Sequence, residues 1–126
     1  MKGQITLEYM VLSLVVIALL SISVAALIQI RENSNKTMDV ILFKSAARDL
    51  FNAIDEVCAM GDGNSREIYL KNEVVVNDEG SYLEFSSTLP HINNTINYEC
   101  ECDLDESTLE GSVLVTNIKG KITFNP

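Results

Sequence analysis

Few residues in this chain could do covalent or coordination chemistry. They include three cysteines and one histidine. Cys58 could form a disulfide with either Cys100 or Cys102, and one thiol would then be left over. Closing such a loop of about 43 residues would contribute ~4 kcal/mol to stability through the entropy of the unfolded chain.

A metal centre, a cofactor site or an active site is not expected from these residues. Three thiolates would lack an obvious fourth ligand, because His91 stands alone in the sequence. The chain has no glycine-rich phosphate loop and no visible nucleophile–base set. The stretch Asp62-Gly63-Asn64 and the acidic stretch 103–106 do not match the twelve-residue calcium loop and are interpreted as solvated turns. We therefore do not expect an enzyme.

One acid, Glu8, stands at the start of a long apolar stretch. From Tyr9 to Ile30 the chain carries no charged residue, and a helix of this length crosses ~30 Å of hydrocarbon. Exposing its large aliphatic and Met side chains to water would cost roughly 20–40 kcal/mol. The segment must therefore lie in lipid or in protein.

Three interpretations of this stretch compete. A cleaved secretory signal normally has an apolar core of only ~7–15 residues, although Ser23-Val24-Ala25 weakly resembles a cleavage site. A plain single-span anchor is the second interpretation. The third is an apolar helix that stays on the mature protein after a much shorter leader is removed.

The segment Gly3-Gln4-Ile5-Thr6-Leu7-Glu8-Tyr9 favours the third interpretation. It resembles the class III signal peptide of archaeal type IV pilin-like proteins, in which a very short basic leader precedes Gln, then Glu four residues later, then an apolar run. The resemblance implies that a membrane-embedded prepilin peptidase cuts between Gly3 and Gln4. Thr6 departs mildly from the more usual Ser. Beyond residue 30 the likeness is only general.

Cleavage before Gln4 would give Glu8 a partner. The new amino group has a reference pKa near ~8, whereas a carboxylate in an apolar setting costs about 2.5–3.5 kcal/mol. A Gln4 amine from a neighbouring chain would offset that cost and fix the stagger between subunits. Alternatively, Glu8 is solvated at the headgroups or neutralised by the amine of its own chain.

The resemblance implies a structural subunit of a pilus that serves adhesion or surface attachment. Its implied partners are copies of itself, the prepilin peptidase, an assembly platform and an ATPase. The precursor would be anchored in the membrane, and the product would be an extracellular filament. A membrane-anchored extracellular binding module without filaments is the alternative, and an archaellin-like motility subunit fits less well. A net charge of −9 argues against nucleic acid as a partner.

The predicted fold is α+β, with a small antiparallel sheet packed on the C-terminal half of a long helix. Residues 1–3 would be the leader, 4–30 the apolar helix and 31–126 the head, with an amphipathic helix at 36–60 and a sheet at 65–126. The helix either continues or bends through 31–37. Apolar residues then recur at spacings of three and four: Phe43, Ala46, Ala47, Leu50, Ile54 and Val57. Gly61 should end the helix.

Short alternating stretches separated by turn residues predict five or six strands after Asn64. They are 67–70, 73–77, 81–86, 95–102, 111–118 and 121–124.

Two acceptor motifs for N-glycosylation occur, Asn35-Lys36-Thr37 and Asn93-Asn94-Thr95. The motif is short and also arises by chance. On an exported subunit we expect Asn93 to be the better candidate, because packing in a filament would hide Asn35.

Overall fold

The computed structural model describes residues 2–126, with side chains from residue 3 onward, so Met1 of the predicted leader lies outside the described residues. Within this range the chain forms one long helix followed by six strands. Their bounds are α1 Lys2–Met60, β1 Ser65–Asp78, β2 Tyr82–Ser86, β3 Ile96–Glu99, β4 Asp103–Leu104, β5 Ser107–Ile118 and β6 Lys121–Asn125. The predicted α+β class, with one helix before a sheet, is confirmed.

Residue contacts divide the chain into two units. The first unit ends at Thr37, and the second, Met38–Pro126, is called the head below. In the first unit every described residue is helical and every described side chain is exposed. The polar interval 31–37 is helical throughout.

In the head, α1 packs one stripe of its surface against the sheet. Phe43, Leu50 and Ile54 are each at most 1% exposed, and so are Ala47 and Val57. These positions follow the helical spacing of three and four residues, so they share one face. The amphipathic stripe predicted from the sequence is the face that packs on the strands.

The strands form a single sheet in the order β3-β2-β1-β5-β6-β4. Neighbouring strands are antiparallel except at one edge, where β4 pairs in parallel with β6 over two residues. The sequence predicted a loop at residues 103–106, because three of these four residues are acidic. Leu104 is nevertheless buried, and its amide donates to Oδ2 of Asp78 at 3.2 Å, which holds β4 at the sheet.

β1 is one strand of 14 residues where the sequence suggested two. It pairs with β5 along most of its length, and the register shifts between Leu70 and Val74. The two predicted strands were separated by the polar residues Lys71 and Asn72. A local irregularity in the ladder accommodates them without ending the strand.

The core between the helix and the sheet is formed by aliphatic and aromatic side chains. Its largest fully buried members are Phe43, Leu50, Ile54, Val57, Leu70, Val74, Val76, Leu83, Phe85, Val113, Val115 and Ile122. At one side the ring of Tyr98 stacks on Phe51, with centroids 4.4 Å apart, and meets the edge of Phe85 at 5.7 Å. These contacts attach the end strand β3 to both the helix and β2.

The end of α1 is tied to the sheet by main-chain and side-chain hydrogen bonds. Gly61 has a φ of 85°, a left-handed conformation that glycine adopts without steric cost. Beyond it, the Gly63 amide donates to the carbonyl of Asn117 at 2.8 Å, and the Asn117 amide donates to that of Asn64 at 2.9 Å. The buried Asn117 side chain also donates to the Val57 carbonyl at 3.4 Å. α1 therefore ends where these hydrogen bonds connect it to the β5–β6 hairpin.

Replacing Leu50 with Ala should destabilise the head by about 2–5 kcal/mol, because it removes a fully buried side chain and leaves a cavity. The measurement is guanidinium unfolding of the full-length chain in detergent, followed by near-ultraviolet circular dichroism. Lys44→Ala, at an exposed position of the same helix, is the control and should change the free energy of unfolding by no more than about 0.5 kcal/mol. Equal effects of both substitutions would contradict the assigned packing face.

Candidate functional site

The segment of α1 between Ile5 and Ile30 has no protein layer over it. Its large apolar side chains are each 46% to 71% exposed. Within the described residues, α1 is the one helix that is long and apolar enough to cross a membrane. A membrane anchor and a signal sequence both have this character.

Three serines within this segment satisfy their hydroxyl groups inside the helix. Ser13 donates to the carbonyl of Met10 at 2.9 Å. Ser21 and Ser23 each donate to the carbonyl four residues earlier, at 2.8 and 2.9 Å. An internal acceptor removes the need for water at these side chains, so the serines are compatible with a hydrocarbon environment.

Glu8 lies on an otherwise apolar face of α1. Leu7, Val11, Leu12 and Val15 line the surface around it. Gln4 precedes Glu8 by four residues, a rise of about 6 Å along a helix that brings both to the same side. This spacing allows a contact between an amine at Gln4 and the Glu8 carboxylate within one chain as well as between chains.

The peptide bond between Gly3 and Gln4 lies in the first turn of α1, and both residues are exposed. The first four amide groups of a helix have no acceptor within the helix. This turn therefore opens at little cost.

The structure joins Cys58 to Cys102 and leaves Cys100 free and buried. The bond connects the last turn of α1 to the residue that precedes β4. The sequence predicted a strand over 95–102, but β3 ends at Glu99, so Cys100 and Cys102 lie outside the strands, and both are buried. The spacing of the cysteines in the sequence did not identify the partner of Cys58, whereas the structure pairs it with Cys102.

The free thiol is held in its protonated form. Burial raises the pKa of Cys100, a backbone hydrogen bond with Cys102 opposes this change, and the carboxylates of Asp55, Asp78 and Glu101 raise the pKa further. The thiolate is the nucleophilic form of cysteine. Cys100 is therefore a poor candidate for a reactive residue.

An open groove of about 820 Å³ runs beside the disulfide. Its charged lining residues, Asp55, Glu99 and Glu101, are all acidic. Among the described residues, no cluster of His, Cys, Asp or Glu is placed to hold a metal ion. His91 does not line this groove, and its Nε2 lies 2.9 Å from Oδ2 of Asp39 on α1.

The two glycosylation motifs lie in different local structures. Asn35 is exposed on α1, within the first unit. Asn93 is exposed on the head, in the irregular segment that precedes β3.

Comparison of the chain with protein-family models, with curated proteins and with solved structures found no match. The long apolar N-terminal helix followed by a sheet is compatible with a pilin-like fold.

Cys58→Ala should lower the stability of the head by ~4 kcal/mol, because it removes a cross-link between residues 44 positions apart. Guanidinium unfolding with and without a reductant measures this effect. Reductant should lower the midpoint of the wild-type protein and of the control Cys100→Ala, and it should not change that of Cys58→Ala. A wild-type midpoint that does not respond to reductant would contradict the pairing.

Proposed function

We propose that this chain is a pilin-like structural subunit that polymerises through its N-terminal helix. In this proposal residues 1–3 are removed before Gln4, and the apolar helix stays on the mature subunit. The head is then displayed on an extracellular filament that serves adhesion or surface attachment. The observation that carries the proposal is the uncovered apolar segment of α1, which runs without a break into a folded head.

The energetics of this segment support an assembly. About fourteen large aliphatic or Met side chains lie between Tyr9 and Ile30, and their exposure to water would cost roughly 20–40 kcal/mol. A bilayer and a bundle of identical helices both remove that cost. Transfer from the membrane to a filament therefore exchanges one non-aqueous environment for another.

Glu8 supports an ordered bundle over a random one. In a helix bundle its carboxylate would be surrounded by the apolar residues that flank it, and a partner cation would offset the resulting cost. The amine that cleavage creates at Gln4 is the cation that this proposal supplies. A pair between neighbouring chains would select one axial offset, since other offsets would leave a charge unpaired.

This function needs partners outside the chain. A prepilin peptidase would cut the leader, and a membrane platform with an assembly ATPase would extract subunits from the bilayer. The precursor would reside in the membrane, with its acidic head outside the cell. These partners follow from the resemblance of residues 3–9 to the archaeal class III signal peptide.

The mature protein should begin at Gln4. Intact-mass spectrometry of the chain purified from its native cells measures the N-terminus directly, and the expected loss is that of Met1, Lys2 and Gly3. A chain that begins at Met1 would favour a plain membrane anchor. A chain that begins beyond Ala25 would favour a cleaved secretory signal and would contradict the proposal.

Glu8→Gln should abolish or strongly reduce filaments while membrane insertion is retained, because the substitution removes the charge and keeps the size of the side chain. Electron microscopy of cells and fractionation of their membranes measure the two effects separately. Glu32→Gln is the matched control, since Glu32 is an exposed acid on the same helix just beyond the apolar segment, and it should assemble normally. Normal filaments from Glu8→Gln would exclude the proposed pairing.

A further inference from the structure

The segment between β2 and β3 presents a complete acceptor motif on the surface of the head. Asn93, Asn94 and Thr95 are all exposed, and their backbone is neither helical nor part of a strand. Within the described part of the chain, their side chains make no hydrogen bond or ion pair. The amide of Asn93 and the hydroxyl of Thr95 are therefore available to an enzyme.

The segment is nevertheless fixed at both ends. On one side Ile92 is buried, its amide donates to the Leu89 carbonyl at 3.0 Å, and the neighbouring His91 contacts Asp39. On the other side Ile96 pairs with Phe85 of β2. The motif is thus an accessible stretch held on a folded support, so a group attached to it would not disturb the core.

We propose that Asn93 is an N-glycosylation site and that Asn35 is not one. The co-reactant is an oligosaccharide linked through phosphate to a membrane lipid. A bond forms between Nδ2 of Asn93 and the anomeric carbon of the sugar, while the bond from that carbon to the lipid phosphate oxygen breaks. The amide loses one proton, and the lipid leaves as its phosphate or diphosphate.

The local structure at Asn35 opposes the same reaction. An N-glycosylating enzyme recognises the Asn side chain and the hydroxyl two residues later together. A step of two residues along a helix corresponds to a rotation of about 200° about its axis. The side chains of Asn35 and Thr37 therefore lie on nearly opposite sides of α1. The Thr37 hydroxyl is also engaged, since it donates to the Asn33 carbonyl at 2.9 Å.

Asn35 also lies close to the apolar segment. This is a second reason to expect no modification there, and it rests on the proposed function. Asn35 follows Ile30 by five residues, a helical rise of about 7.5 Å. The headgroup region occupies roughly 5–8 Å on each side of the hydrocarbon core. With Ile30 at the hydrocarbon boundary, Asn35 lies at the outer limit of the headgroups.

The test is glycopeptide mass spectrometry of the full-length chain, exported by a host that has an N-glycosylation pathway together with a prepilin peptidase, an assembly platform and its ATPase. Cleavage after glutamate separates the two motifs, because residues 33–56 contain Asn35 and residues 85–99 contain Asn93. We expect a glycan on the second peptide and none on the first. Asn93→Gln should abolish the modification, whereas Asn35→Gln should leave it unchanged.

Asn94→Gln is a control within the same motif, because it changes the middle residue and keeps both reacting positions, and it should stay modified. An unmodified 85–99 peptide, or a glycan on Asn35, would overturn the proposal. Electron microscopy of the same cells scores filaments independently. A glycosylated chain without filaments would contradict the proposed function alone, and filaments of a chain unmodified at Asn93 would contradict this inference alone.

Discussion

The need to keep one helical segment out of water governs the rest of this structure. The first part of α1 is apolar on all sides, and its side chains are exposed. From Phe43 onward the same helix is apolar on one stripe only, and that stripe is covered by the sheet. A stripe requires one packed surface, whereas an all-round apolar helix requires a surrounding phase. One continuous helix therefore has two kinds of environment.

The head meets a different constraint, which is its size. Fewer than a hundred residues form one layer of helix on one sheet, and a core of this extent is marginal by itself. Two cross-connections act at the same place, the last turn of α1. Cys58 is bonded to Cys102, and the carbonyl of Val57 accepts from the buried Asn117. Both connect the helix to residues that lie more than forty positions later in the sequence.

Features that depend on local pattern were predictable. The spacing of Phe43, Leu50 and Ile54 gave the packed face of α1, and Gly61 gave its end. Features that depend on distant contacts were not. Leu104 lies in an acidic stretch that reads as a loop, and its strand exists because it reaches β6.

The candidate sites divide in the same way. The sequence motifs identified Glu8 and Asn93 as candidates, because both stand out against their neighbours. Nothing local separated Cys100 from Cys102 as the partner of Cys58, or indicated that the Asn117 side chain contacts a carbonyl 60 residues away. These contacts depend on how the fold brings distant parts of the chain together, and the spacing of residues along the chain does not carry that information.

The disulfide also sets how far this molecule can be stretched. Tension applied along α1 could unravel the head, but the chain between Cys58 and Cys102 would remain a closed loop. A separation of 44 residues corresponds to roughly 150 Å of extended backbone. While the disulfide is intact, this part of the chain cannot contribute to elongation under load. A fibre built from such subunits would lengthen less before breaking than its chain length suggests, and reducing conditions would make it more extensible.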